Sequence, residues 1–169
     1  PWKMWPLSKG QMRLVLSQDE EENIEVDSDT LLAQRVLEDA QTNIEANNDI
    51  PHLGLSHFYV HLMEMAPMKE LVERACGHAD LLRRQWPACG HLPHMASHID
   101  VQVGAYAAGI LCNVNGIEQD NAVEEATQVG RNTVYHGYRL HNHHMLIYSA
   151  MFAGNFDVAY SNAEEMIFI

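Results

Sequence analysis

The residues most able to do chemistry are histidines, which recur in close groups: His57 and His61, then His91, His94 and His98, then His141, His143 and His144. Imidazoles at i and i+4 share one face of a helix. Their neutral nitrogens ligate zinc, copper, iron and nickel, so such a pair can chelate one ion. A third histidine from the next helix would pin the two helices together. The candidate ligands are His57, His61, His94, His98, His141 and His144, with His91, Glu64 and Asp100 as helpers. Glu64 follows His61 by three residues and shares its side. It is a candidate to ligate, to orient an imidazole through its second nitrogen, or to act as acid or base. Asp100 follows His98 by two residues and points further from the histidine face. His143 should face away from His141. His52, His78 and His136 have no partner in register and read as surface or turn residues.

The elements that would position these side chains are helical throughout, and no strand alternation occurs. Apolar residues at Leu31, Leu32, Val36, Leu37, Ala40 and Ile44 predict a helix over 30–47 with one face inward. Further helices are expected over 55–65, 67–84 (inner face Leu71, Ala75, Ala79 and Leu82), 92–103, 106–118, 138–152 and 156–166, about seven in all. The polar stretch 119–132 reads as a weakly structured insertion, with a short helix near Val123. Residues 1–29 form an irregular arm carrying Trp2, Trp5, Leu7 and the acidic run Asp19–Glu22. The helical domain is 30–169.

Two turns share the form Gly-x-aromatic-x-x-small: Gly104, Tyr106 and Gly109, and Gly154, Phe156 and Ala159. A glycine there permits a tight turn, the aromatic residue should wedge into the hairpin, and the small residue allows close helix crossing. His94 precedes Gly104, and His144 precedes Gly154, by the same ten positions; His57 precedes Pro67 likewise. In a stacked array of hairpins, equivalent positions face a common groove. This register predicts that the histidines converge.

The turns are similar to those of tetratricopeptide repeats, and the fold expected is an all-α helical-hairpin array, an α-solenoid. The chain over about 30–169 resembles a little-characterised family of bacterial and algal tetratricopeptide-like proteins. The resemblance lies in His57-Phe58-Tyr59-Val60-His61, then His94-Met95-Ala96-Ser97-His98, then His141-Asn142-His143-His144. It implies that His57, His61, His94, His98, His141 and His144 are the family's shared histidines, and it carries no activity. Ala96 stands where the family has proline, and Asp100 where it tends to have an aromatic residue. Family members are longer, with further hairpins on the N-terminal side, which implies that this chain is part of a longer product.

The totals narrow the function classes. Ten Lys and Arg against 23 Asp and Glu give a formal charge of −13, which repels phosphate backbones and argues against nucleic-acid binding. No apolar run is long enough to cross a membrane. Nothing after Pro1 reads as a secretory leader, so a soluble chain is expected, with the cytoplasm favoured slightly. Cys76, Cys89 and Cys112 are too widely spaced for a zinc knuckle and read as small hydrophobes. No His-Glu-x-x-His, nucleophile elbow or phosphate loop occurs, so nothing requires turnover.

Two functions stay open at this level. The first is a histidine-rich transition-metal-binding helical-repeat protein, extending to a metal-dependent enzyme, with zinc, iron, copper or nickel as cofactor. The alternative is a non-catalytic scaffold whose concave groove binds a protein or basic peptide partner, the histidines forming a polar network or lining an organic-ligand pocket. Trp2 and Trp5 would offer a homodimer contact.

Overall fold

The computed structural model describes residues 28–48, 51–66, 69–84 and 89–169. The expected N-terminal arm lies outside them up to residue 27, and with it Trp2, Trp5 and the acidic run. The described residues form eight helices: α1 (Ser28–Asn48), α2 (Leu53–Met63), α3 (Lys69–Glu73), α4 (Cys76–Arg83), α5 (His91–Val103), α6 (Tyr106–Thr127), α7 (Val134–Phe152) and α8 (Phe156–Phe168). No strand occurs among them.

The count differs from about seven because the segment expected as one helix over 67–84 is two. Arg74 and Ala75 donate to Leu71 and Val72 three residues back, tightening the chain, and the α-helical pattern resumes when Ala79 donates to Ala75. The inner face is the one expected, with Ala75, Ala79 and Leu82 buried. In α1 the face is rotated from the expected one. Leu31, Leu32 and Val36 are exposed, while Thr30, Gln34 and Gln41 are buried. The Tyr59 hydroxyl donates to Glu38 at 2.7 Å and Gln34 donates to the same carboxylate oxygen, so this polar face meets α2.

The stretch 119–132 also departs from expectation, because α6 continues helically to Thr127. Its polar groups find partners on α7. Asp120, almost fully buried, accepts from the Tyr135 hydroxyl at 2.7 Å and from the Asn142 amide at 2.6 Å. Arg139 donates to Asn121 and pairs with Glu124 at 2.5 Å. A polar run is stable as helix when its buried groups are satisfied in this way.

Both Gly-x-aromatic turns form with the same geometry. Gly104 and Gly154 adopt φ of 83° and 69°, a left-handed conformation that favours glycine, and each turn closes by an amide reaching back over the preceding helix. The small residue does its expected work at Gly109, where an added Cβ would lie 2.9 Å from Ser149 Oγ. Tyr106 is half-buried, its ring stacked at 5.4 Å on Phe152 at the end of α7, outside its own hairpin. Phe156 does not wedge: it is exposed and stacks on Tyr160 one turn along its own helix.

α5 lies at the centre, touching α2, α3, α4, α6 and α7. Its Met95, Ala96 and Ile99 join Val60, Leu62, Met63, Val72, Ala79, Leu82 and Cys112 in one apolar core. Its start is pressed against α6: a Cβ on Gly90 would sit 2.3 Å from both the Gly116 carbonyl and the Asp120 carboxylate. The far end is held by Asp100, whose two carboxylate oxygens accept from the Arg83 guanidinium at 3.1 and 2.8 Å. That pairing ties α4 to α5 and accounts for a buried carboxylate.

Gly90→Ala should therefore cost about 1–3 kcal/mol of unfolding free energy, because backbone rather than a flexible tip must yield. Gly77→Ala, in α4 with nothing within 4 Å of the added carbon, should gain about 0.5–1 kcal/mol. Urea denaturation of the two variants beside the parent checks the pair of signs.

Candidate metal centre

Three helices bring six histidines together. His57 and His61 come from α2, one turn apart. His91, His94 and His98 lie along one face of α5 at i, i+3 and i+7, and His141 comes from α7. The rings divide into two triads. In the first, ligand nitrogens of His57, His61 and His91 lie within 4.8 Å of one another, and in the second those of His94, His98 and His141 do. The triads adjoin: ring centroids are 5.6 Å apart for His61 and His98, and 5.6 Å for His91 and His94.

The second triad is the more fully specified. Asn113 on α6 is fully buried, and its amide nitrogen donates to the Gly109 carbonyl at 2.8 Å. That fixes the amide's orientation, so the Asn113 oxygen faces His94 Nδ1 at 2.6 Å and must accept from it. His98 Nδ1 donates to a Glu64 oxygen. With both rings neutral, each proton sits on Nδ1 and each Nε2 carries a lone pair. Those two lone pairs face each other at 3.0 Å. Two acceptors do not attract. Two ligands on one ion at about 2.0–2.1 Å stand about 2.9–3.4 Å apart for angles between right and tetrahedral, which matches. His141 completes the group, its ring centroid 4.7 Å from His94 and 5.5 Å from His98.

In the first triad, His61 Nδ1 meets the other Glu64 oxygen at 2.8 Å, leaving Nε2 for an ion. His57 Nε2 and His91 Nε2 lie 3.0 Å apart. Among the described residues, His91 Nδ1 is buried without a hydrogen-bond partner. The rim is aromatic: Phe58 stands edge-on to His57 at 5.3 Å, and Tyr138 lies 4.8 Å from His91, both rim residues about half exposed.

Glu64 caps α2 and joins the two triads through one carboxylate. Burial raises its affinity for a proton, but hydrogen bonds from His61 and His98 and their charges outweigh it, holding the carboxyl at about 2. Both oxygens are engaged by imidazoles, which is the geometry of the orienting role, one of those expected for Glu64. Burial, then mutual repulsion within the cluster, depresses His57 to about 4, His91 to about 3 and His141 to about 4, and pushes His94 well below its ordinary value. Neutral imidazole is the form a metal requires.

One expected ligand and one expected helper lie elsewhere. His144 is exposed, its ring 6.3 Å from His141, and belongs to neither triad. The cause is the level at which α7 is pinned. Asp120 accepts from Tyr135 and Asn142 and also from the Gly90 amide, which sets residues 135–142 of α7 beside the start of α5. His141 therefore meets the α5 histidines and His144 projects one turn beyond. Asp100 is the second, its carboxylate committed to Arg83. His91, expected only as a helper, takes a full place. The i, i+3, i+7 spacing on α5 was the signal for it. Asn113 was missed; its trace in the sequence is an amide among apolar neighbours on a buried helix.

The remaining histidines are separate from the cluster. His143 is buried on the opposite face of α7, toward Asn162 and Glu165 on α8. His52 accepts from the Leu55 amide at the start of α2, and His136 lies in the first turn of α7. His78 is not a surface residue: it packs on Tyr59 and its Nδ1 meets the buried Ser56 hydroxyl at 3.0 Å. The three cysteines are free, Cys112 buried, Cys76 half-buried and Cys89 exposed.

No family model, curated protein or solved structure matches this chain. The site is thus read from its own geometry.

In the metal-free protein, the depressed histidines stay neutral in the fold while an unfolded chain protonates them near 6.5. Between about pH 4 and 6.5 the unfolded state binds more protons, so stability should rise with pH across that window and level off above it. Urea midpoints measured from pH 4.5 to 8 check this, and His57→Gln with His91→Gln should flatten the slope.

Proposed function

We propose that this is a histidine-ligated transition-metal-binding protein. The observation that carries the reading is His94 Nε2 and His98 Nε2 facing each other at 3.0 Å, each ring held from its far side by Asn113 or Glu64, with His141 beside them. A cation between them would replace this contact with two coordinate bonds. The partners on the far sides of the rings support it. Ligating histidines typically donate their second nitrogen to a carboxylate or carbonyl, as His98 and His61 do to Glu64 and His94 does to the Asn113 amide oxygen. The first triad offers a second place, His57, His61 and His91.

The donor set is all nitrogen, which suits zinc, copper, nickel or iron and not calcium or magnesium. The succession of packed helices and the two matching glycine turns support a tetratricopeptide-like hairpin array, on the family resemblance of the three histidine segments. No helix among the described residues is long and apolar enough to cross a membrane.

A scaffold role is favoured by one separate observation. Around its turn the last hairpin leaves Tyr148, Met151, Phe152, Phe156 and Tyr160 exposed, an apolar and aromatic surface of the kind that marks contact with another protein. The two roles are compatible, because the histidines lie on α2, α5 and the earlier part of α7.

Metal-free protein titrated with zinc against a competing chelator should bind it, and H94A combined with H98A should remove the ion held by the second triad. Asn113→Ala should weaken binding about 10–100-fold, the usual cost of removing a partner that orients a ligand, while H144A should leave it unchanged. A protein that takes up no zinc, copper, nickel or iron and whose melting temperature ignores all four would refute the reading.

A further inference from the structure

The two triads adjoin, and the chemistry of their donors bears on which ions and which ligand they would take together. Each triad supplies three imidazole nitrogens. Among the described residues the two carboxylates nearest the triads in sequence are already engaged: Glu64 has both oxygens committed to His61 and His98, and Asp100 is bound by Arg83. Non-haem iron sites that handle oxygen typically take two histidines and a carboxylate, which this arrangement lacks. A metal pair that activates water for hydrolysis usually holds its ions about 3.5–4 Å apart as a clamp on oxygen ligands. Here neither Glu64 nor Asp100 is left to serve as bridge or base. Six neutral nitrogens arranged three and three match copper, the divalent ion that nitrogen sites bind most tightly, and in its cuprous state an ion content with three nitrogens.

Three-coordinate ions leave an open position each. Rings of the two triads meet across the boundary at 5.6 Å, so ions held by them are neighbours that a two-atom ligand can span. Glu64 holds one ring of each triad through the two ends of one carboxylate, which fixes the triads relative to each other. The half-exposed rim of Phe58 and Tyr138 places one side of the centre near the surface.

Resting on the metal-binding reading above, we propose that the two triads hold a pair of copper ions that binds dioxygen between them. Each cuprous ion gives up one electron. Dioxygen gains two, becoming a bound peroxide with its O–O single bond intact, and no proton is consumed. Reversal returns the electrons and releases dioxygen, so binding needs no further reductant.

The test loads metal-free protein with cuprous ion without oxygen, measures copper per chain against a chromogenic chelator, then admits oxygen and records the electron paramagnetic resonance. The expected result is two copper ions per chain, both oxidised, with a signal integrating to a small fraction of the copper present because the two spins couple through the bridging ligand. His91→Ala should drop the content to one copper per chain, and on oxidation by ferricyanide that ion should give a full signal. His57→Ala, at the more exposed side of the same triad, serves equally where H91A does not fold. One copper per chain in the parent, two that give a full uncoupled signal, or two that stay cuprous under oxygen would each overturn the proposal. Zinc titration run in parallel separates the two readings. Zinc bound through His94 and His98, with any of those copper results, leaves the metal reading standing and the paired centre refuted. Failure to bind zinc, copper, nickel or iron at all refutes both.

Discussion

The arrangement depends on where the protons of a few imidazoles are sent. A histidine ring has two nitrogens and, when neutral, one proton between them, so anchoring a proton on one side presents a lone pair on the other. Glu64 takes the Nδ1 protons of His61 and His98, and the Asn113 oxygen takes that of His94. The lone pairs then turn inward toward common points. Without those outward partners the same rings would hydrogen-bond to one another and close the cluster as a neutral network. What distinguishes a metal centre from a polar core is therefore set by groups that touch no metal.

Those groups are themselves held by packing. Asn113 can offer only its oxygen because its amide nitrogen is used by Gly109 on the same helix, and α6 can lie close enough because Gly90 and Gly116 carry no side chain at the crossing. Asp120 gathers Tyr135, Asn142 and the Gly90 amide, which fixes the height of α7 against α5. The Arg83–Asp100 pair secures the opposite end of α5. Burial raises the proton affinity of Asp120, yet its hydrogen bonds and the nearby Arg139 offset much of that cost, so the junction is a satisfied polar knot in an otherwise apolar interior. Rigid supports of this kind are what a coordination site needs, since ligands misplaced by an ångström bind poorly.

The electrostatics are local and differ from those of the chain as a whole. The sequence carries a formal charge of −13, but the centre is neutral nitrogen with one carboxylate whose charge is spent on two hydrogen bonds. Burial disfavours protonation of His57, His91, His94 and His141 and so keeps them competent to ligate. An acidic exterior concentrates cations generally, while the all-imidazole interior chooses among them.

Much of this was legible in the sequence because helical periodicity is a local property. The pairs His57 and His61, and His94 and His98, share a face by spacing alone, and Gly104 and Gly154 announce turns because few other residues tolerate a positive φ. The relative height of neighbouring helices is not local. It is set by where buried polar groups find each other, so turn register pointed to His144 while the Asp120 junction brings in His141. The same distinction explains the rotated face of α1, the helical continuation through 119–127 and the capture of Asp100 by Arg83, each decided by a partner distant in sequence. Residue types and their spacing determined that helices would carry histidines on a common side. Tertiary packing alone decided which six meet and, for His61, His94 and His98, which nitrogen faces inward, because a ring's proton goes to the acceptor that the fold places beside it.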